Sequence, residues 1–126
     1  MNRKEIIFTE GAPKAIGPYS QAVATETTVF TSGQLGIDTA TGKLAEGVEN
    51  QARCSMNNVG AILKAGGLGY EHIVKTTIFL KDMADFAAVN AVYAGFFAAD
   101  YPARSTVQVA GLPLGGLVEI ECVAVR

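Results

Sequence analysis

Hydrophobic positions near the N-terminus are grouped in short segments. Residues 5–9, 19–25 and 28–33 are rich in β-branched and aromatic side chains, and turn-forming residues 11–18 separate the first two stretches. Such segments, bounded by glycine and proline, are typical of β-strands. The N-terminal third of the chain is therefore predicted to form three strands.

A helical repeat follows these strands. Counting by threes and fours gives one apolar series, which consists of Val48, Ala52, Met56, Val59, Ile62 and Leu63. This spacing places a single apolar stripe on a helix that ends at the pair Gly66-Gly67. The next segment, 72–81, is dense in β-branched residues and predicts a long strand.

A second helix and two more strands complete the pattern. Asp82 or Asp85 suits a helix start, and the helix is expected to run to about Asp100 with Phe86, Val89, Tyr93, Phe96 and Phe97 on one face. Strands at 105–110 and 117–125 flank the turn-rich segment 111–116. The order βββαβαββ predicts an α+β fold with both helices on one face of a mixed sheet.

The other face of that sheet has no element of the chain to cover it. Depending on strand register, it exposes apolar residues such as Val107, Val109, Ile120 or Val123. Large exposed apolar patches are rare on monomers, so burial by neighbouring subunits is expected.

Composition limits the number of domains and the kinds of partner that the protein can have. The 126 residues, 49% hydrophobic, suit one domain over 1–126, since no linker or repeat divides the chain. A formal net charge of −2 and a pI near 5.3 offer no cationic field for nucleic acid or an anionic membrane. No apolar run is long enough for a secretory signal or a bilayer span, so a cytosolic location is expected.

Cysteine and histidine provide little material for a metal or nucleophile site. Cys54 and Cys122 form no CxxC pair and are expected to be buried, reduced thiols. His72 is the only histidine, which excludes a multi-histidine metal site within one chain and favours a surface or interface position for this residue.

The last strand carries two acids on a face that is otherwise apolar. Val118, Ile120, Cys122 and Ala124 alternate with Glu119 and Glu121, which share their face with Leu117, Val123 and Val125. An acid in such surroundings is paired, or hydrogen-bonded, or has a raised pKa, and each state is compatible with a catalytic base. An exposed strand face with solvated acids fits the pattern equally well.

Arg104 is the candidate anion-binding residue. It follows Tyr101-Pro102-Ala103 and precedes a strand, where its planar fork of donors could bind a carboxylate in a bidentate manner. A surface ion pair is the alternative. Polar groups at strand ends, Tyr19 and the Ser32-Gly33 pair, also suit a small polar ligand, although the same residues mark ordinary turns. Asn90, near the apolar face of the second helix, is equally ambiguous.

Four separated segments in order resemble one known family over essentially the whole chain. They read AIGPYSQAV, TSGQLGID, HIVKTTIFLKDMADFAAVN and YPARSTVQVAGLPLGGLVEIECVAV. They are similar to the Rid family of reactive intermediate deaminases, also called YjgF or endoribonuclease L-PSP, whose signature PARSxVxVxxLPxxxxxEIExxA is met from Pro102 to Ala124. The resemblance implies a chorismate-mutase-like fold and a homotrimer whose sheets close a barrel, with sites in the clefts between subunits.

The resemblance also implies a reaction. Rid enzymes of this type hydrolyse 2-aminoacrylate, 2-iminobutanoate and 2-iminopropanoate to 2-oxo acids and ammonia, without a metal or cofactor. By residue-to-residue match, Arg104 would bind the substrate carboxylate and Glu119 would orient the hydrolytic water. The positions that match the rest of the family's pocket are Tyr19, Ser32, Gly33, Asn90 and Thr106, the last of which stands where the family commonly has cysteine.

Two other functions remain open on the sequence. The older family names point to an RNA-directed ribonuclease or translation inhibitor, and the acidic pI with no basic-aromatic platform counts against it. A trimer that binds 2-oxo acids without turning over imines would use the same cleft.

Overall fold

A computed structural model describes residues 3–126, in which two α-helices pack against a twisted sheet. The strands are β1 (Glu5–Ile7), β2 (Ala22–Ala24), β3 (Thr28–Thr31), β4 (Gln34–Leu35), β5 (Ile37–Asp38), β6 (Lys43–Leu44), β7 (Ile73–Leu80), β8 (Ala103–Gln108) and β9 (Val118–Val125). The helices are α1 (Gly47–Ala65) and α2 (Phe86–Ala94).

The main sheet has the strand order β1-β2-β3-β9-β7-β8, and β4 adds to β9 beyond the end of β3. All pairs are antiparallel except β7 with β8, which are parallel. The strands β5 and β6 form a separate hairpin. The predicted α+β fold, a mixed sheet with two helices on one face, is confirmed.

Several predicted boundaries were wrong. The strand expected over 19–25 is only Ala22–Ala24, and α2 ends at Ala94 rather than near Asp100. Gly95 follows α2, and Phe96 and Phe97, which were expected on the helix face, lie beyond its end. The Phe96 ring packs against Tyr70 in a tilted arrangement with ring centroids 5.3 Å apart. The strand expected over 105–110 is Ala103–Gln108 because its pairing with β7 begins two residues earlier. The short strands β4 to β6 were not predicted.

The apolar stripe of α1 lies on the sheet as predicted. Met56, Val59 and Ile62 are fully buried and pack in two clusters against strand residues such as Val29 and Ile78. Burying side chains of this size stabilises the fold by about 1.5–3 kcal/mol each. Of the two thiols, Cys122 is buried as expected, whereas Cys54 is only half-buried because its helix position faces the edge of the β5–β6 hairpin.

A second, polar stripe of α1 is also buried. Ser55 donates a hydrogen bond to the Gln34 carbonyl at 2.6 Å, and Asn58 donates to the carbonyls of Leu35 and Ile37. Gln51, one turn earlier, accepts from the backbone N–H of residue 117 at 2.9 Å. Buried backbone groups need such partners. The helix therefore holds segment 34–37 by hydrogen bonds to its backbone.

The face of the sheet opposite the helices is open in the single chain. Ile6, Val23, Phe30 and Val123 pair in register across four neighbouring strands on this face, and the Phe30 side chain is 49% exposed. Val107, on β8, is 42% exposed. By contrast, Ile120 faces the helices and is buried. No helix within residues 3–126 has the length and apolar character needed to cross a membrane.

The tight contact between α1 and β4 generates a stability prediction. A methyl group on Gly36 would collide with the backbone and Cβ of Gln51, whereas one on Gly111 would meet no atom within 4 Å. We expect Gly36→Ala to lower the free energy of unfolding by about 1–3 kcal/mol or more. The matched control Gly111→Ala should stay within about 0.5 kcal/mol of the parent protein. Urea unfolding followed by circular dichroism measures both, and equal effects of the two substitutions would contradict this packing.

Candidate active site

Glu119 lies on the open face of the sheet, near its centre. Its strand neighbours are Leu35 on β4 and Phe79 on β7. The carboxyl group is half-buried, and burial is the main reason why its pKa is raised. The neighbouring carboxylate of Glu121 raises the pKa further by charge repulsion. Glu119 therefore has the properties of a base that works nearer to neutral pH than an ordinary carboxylate.

Gly33 packs directly against this carboxyl group. A Cβ at Gly33 would lie 2.7 Å from the side-chain carboxyl carbon of Glu119, which is too close for any atom pair of this kind. Only glycine leaves room for the carboxylate at its present position. The structure thus shows a close approach at Gly33, while a role of Gly33 in ligand binding stays a prediction.

The loop opposite Glu119 is fixed by hydrogen bonds of its own. Gln21 is buried, donates to the carbonyls of Thr9, Ala12 and Pro13, and accepts from the Thr9 N–H at 2.8 Å. Ser32 donates to the Ser20 carbonyl at 2.6 Å. These contacts hold the wall of a small pocket of about 70 Å³, whose lining includes Lys14, Tyr19, Gln21, Gly33, Pro113 and Glu119.

Arg104 lies on the other face of the sheet, at its edge. Its guanidinium carbon is 5.2 Å from the ring centroid of Tyr93 and 5.5 Å from that of Phe86. Across residues 3–126, no carboxylate lies within ion-pair distance of this guanidinium. A pocket of about 310 Å³ opens beside it and is lined by Asn90, Tyr93, Ala94, Tyr101, Pro102 and Arg104. The expected alternative, a surface ion pair, is not present in this part of the chain.

Helix α2 supplies one wall of the Arg104 pocket. Phe86, Asn90 and Tyr93 are spaced by four and three residues, so they share one helix face. The sequence pattern predicted that both aromatic residues lie on the apolar face of the helix, and their contact with Arg104 was not predicted. The signal that could have found them is Asn90 itself, because a polar residue between two rings on one face indicates a surface that is not wholly core.

Thr106 lies two residues beyond Arg104 on the same face of β8. Its hydroxyl oxygen is buried, and it is the one such side-chain atom in segment 3–126 without a hydrogen-bond partner. Leaving a buried hydroxyl unpaired costs about 1–3 kcal/mol.

One chain does not bring Arg104 and Glu119 together. On β7, Arg104 pairs with Thr76, which is buried under the helices, and Glu119 pairs with Phe79. Thr76 and Phe79 are three positions apart, which is an odd number. Side chains alternate between faces along a strand, so the two candidates lie on opposite faces. Tyr19, Gly33 and Glu119 form one group, and Asn90 and Arg104 form the other.

The remaining titratable candidates have structural roles. His72 accepts the Gly69 N–H through Nδ1 at 2.9 Å, and its ring is half-buried. Cys122 contacts the Thr31 hydroxyl, and burial raises the pKa of its thiol to about 11. Within the described residues, no three side chains of His, Cys, Asp or Glu are grouped so that they could hold a metal ion.

Comparisons with known proteins agree over almost the whole chain. The family described as Endoribonuclease L-PSP matches residues 9–126. The chain is 54% identical to Reactive Intermediate Deaminase A, chloroplastic, of Arabidopsis thaliana, with 97% of this chain and 66% of that protein covered. It is also 54% identical to the 2-iminobutanoate/2-iminopropanoate deaminase of Salmonella typhimurium, with coverages of 95% and 96%. The solved structure of E. coli TdcF with bound serine matches with a TM-score of 0.94 and 50% identity, covering 97% of this chain and 98% of that one.

The environment of Glu119 predicts how its titration responds to a neighbour. Glu121→Gln removes the charge repulsion and should lower the pKa of Glu119, although burial, the larger cause, keeps it above the ordinary carboxyl value. Carbon-13 NMR titration of the side-chain carboxyls measures the shift, with Glu119→Gln to assign the signal. A Glu119 titration that is unchanged or moves upward in Glu121→Gln would contradict this assignment of causes.

The same raised pKa has a consequence for stability. The folded state keeps the Glu119 proton to a higher pH than the unfolded state does. The resulting stabilisation is complete below the unfolded pKa and is lost as pH rises through the folded pKa. Urea unfolding at several pH values should show that Glu119→Gln removes this loss. A steeper loss in the variant would contradict the sign.

Proposed function

Because this chain belongs to the endoribonuclease L-PSP family, the Rid family, we propose that it is a deaminase that hydrolyses small 2-imino acids and their enamine tautomers. The substrates are 2-aminoacrylate, 2-iminobutanoate and 2-iminopropanoate, and the products are the 2-oxo acids and ammonia. Relatives about half identical to this chain over nearly its full length are named for this activity. Serine, the ligand named for a solved relative, is likewise a small molecule with a carboxylate.

The free guanidinium of Arg104 is the observation that carries the proposal. Arg104 lies between two rings, faces a pocket and forms no ion pair within segment 3–126. A planar fork of donors matches a carboxylate in two parallel hydrogen bonds. Arg104 would bind the substrate carboxylate and so fix the position of the imine carbon.

Glu119 would supply the base. A protonated imine is already electrophilic, so hydrolysis requires a positioned water and an acceptor for its proton. As the water oxygen bonds to the imine carbon, the π electrons of the C=N bond move to nitrogen and the water proton moves to Glu119. Glu119 then returns a proton to the nitrogen. As ammonia leaves, the carbinolamine hydroxyl becomes the carbonyl and its proton passes to the Glu119 carboxylate, which then releases the proton to solvent or to ammonia. Neither a metal nor an organic cofactor takes part.

The complete site would lie between subunits of a homotrimer. Arg104 of one copy and Glu119 of the next would face the same cleft if the β8 edge of one subunit docks on the open sheet face of its neighbour. Two observations support this arrangement: the two residues lie on opposite faces of one sheet, and the open face carries exposed apolar residues such as Phe30 and Val107. Apolar surface of this kind is typical of subunit interfaces.

The other candidates would complete this cleft. Tyr19 and Gly33 would approach the ligand from the Glu119 side, and Ser32, whose hydroxyl hydrogen is already used within the chain, would act as an acceptor. Asn90 would approach from the Arg104 side, and Thr106 would contribute its backbone groups on the edge strand β8.

The proposal predicts distinct defects for the two central residues. With threonine dehydratase supplying 2-iminobutanoate, the protein should accelerate formation of 2-oxobutanoate. Arg104→Ala should lower kcat/KM by about 10- to 100-fold, because a charge-assisted contact to the substrate is lost. Glu119→Gln should lower kcat by about 100-fold or more while 2-oxobutanoate still binds.

Arg53→Ala is the matched control for the loss of a positive charge. Arg53 is exposed on α1 and hydrogen-bonds only Asn50 within the described residues, so its removal should leave the acceleration unchanged. A parent protein that binds 2-oxobutanoate but does not accelerate its formation would instead indicate a ligand-binding protein without this activity.

A further inference from the structure

Two aromatic rings surround the Arg104 guanidinium, which forms no ion pair within residues 3–126. The guanidinium carbon lies within 5.5 Å of the ring centroids of both Phe86 and Tyr93, which is within the range of cation–π attraction. Aromatic faces attract the cation but accept none of its N–H groups in the strong, directional manner of a carboxylate. The five N–H donors are thus left for a ligand while the guanidinium is held.

Tyr93 is the rigid half of this arrangement. Its side chain is only 4% exposed, and its hydroxyl makes a 2.7 Å hydrogen bond with the hydroxyl of the buried Thr76. The ring also packs on Phe97 with centroids 4.9 Å apart. Thr76 is the strand neighbour of Arg104 across β7 and β8, so the ring and the arginine are fixed by the same pair of strands.

Phe86 is the exposed half. Phe86 is 38% exposed and is the first residue of α2. The turn directly before it is capped by the side chain of Asp82. Gln108, the last residue of β8, accepts the N–H of Met83 in that turn at 2.7 Å. The strand that carries Arg104 therefore also holds the start of the helix that carries Phe86, which fixes the distance between ring and guanidinium.

From this geometry we propose that Phe86 and Tyr93, named here the aromatic clamp, are positioning residues that hold the Arg104 guanidinium extended and free of acid partners for the substrate carboxylate. The inference rests on the proposed function for the identity of the ligand. The clamp itself is a property of the chain. It also explains why arginine rather than lysine suits position 104, because a planar guanidinium can lie against a ring and still present its edge to a carboxylate.

Phe86→Leu tests the clamp in the full-length protein, because Phe86 is exposed enough for the variant to fold. We expect the affinity for 2-oxobutanoate, measured by calorimetry, to fall by about two- to tenfold. Phe86→Tyr, which keeps a ring, should restore the affinity to within about twofold of the parent. In an Arg104→Ala background, Phe86→Leu should cause no further loss, because the ring acts through the arginine.

Phe96→Leu is the matched control. It removes a ring of the same type that stacks on Tyr70, away from Arg104, and should leave the affinity unchanged. An affinity in Phe86→Leu equal to that of the parent would overturn the proposal. So would equal losses in Phe86→Leu and Phe96→Leu, or a full loss from Phe86→Leu in the Arg104→Ala background.

A measurement without ligand separates the clamp from the proposed function. In the clamp, ring currents should move the Arg104 side-chain Nε–H proton upfield of that of the exposed Arg53. The shift should become smaller in Phe86→Leu, where the Tyr93 ring remains, and should persist at its full size in Phe86→Tyr. If the parent protein shows this shift but binds no 2-oxobutanoate, the proposed function fails and the clamp stands. If the shift is absent, the clamp fails even when imine hydrolysis is observed.

Discussion

The alternation of side chains across the central strands is the constraint on which the rest of the structure depends. Along β9, and along β7 from Thr76 onward, every second residue is buried under the two helices, and the residues between them lie on a face that the chain leaves open. Register assigns Arg104 to the covered face and Glu119 to the open one. A shift of one residue in any of these strands would exchange the faces and remove both the core and the candidate site. The same constraint that builds the core thus divides the site into two halves.

Each half is kept in place by polar groups that the fold buries. On the open face, the buried stripe of α1 holds the backbone of segment 34–37, and Gly33 just before it gives the Glu119 carboxyl its room. On the covered face, the Thr76–Tyr93 hydrogen bond and the capped turn before α2 fix the surroundings of Arg104. Both arrangements place a charged group in partial burial without an ion pair from the described part of the chain. A partly buried charged group whose hydrogen-bonding atoms are unused is more typical of a ligand site than of a contact that stabilises the fold.

Much of this could be predicted from sequence, and the limits have physical reasons. The predictions of α1 and β9 were correct because each depends on the local spacing of apolar residues that face one core. The end of α2 was wrong because Phe96 continues the helical spacing while its ring packs on Tyr70 outside the helix. The strand β4 was missed because two residues carry no periodicity, and its position depends on hydrogen bonds from Ser55 and Asn58, which a local reading cannot assign. The register of β8 and β9 on β7, which places Arg104 and Glu119 on opposite faces, also depends on contacts between distant segments and could not be predicted from local patterns.

In the proposed trimer, each site would take Arg104 from one subunit and Glu119 from another. Complementation between inactive variants tests it most directly. Arg104→Ala and Glu119→Gln subunits, unfolded together in equal amounts and refolded, would regenerate an intact Arg104–Glu119 pair at roughly one site in four if partners assort at random. The mixture should regain about a quarter of the parent deaminase activity, while each variant refolded alone should keep no more than about a tenth of it. A mixture as inactive as its components, with subunit exchange verified by mass spectrometry, would contradict it.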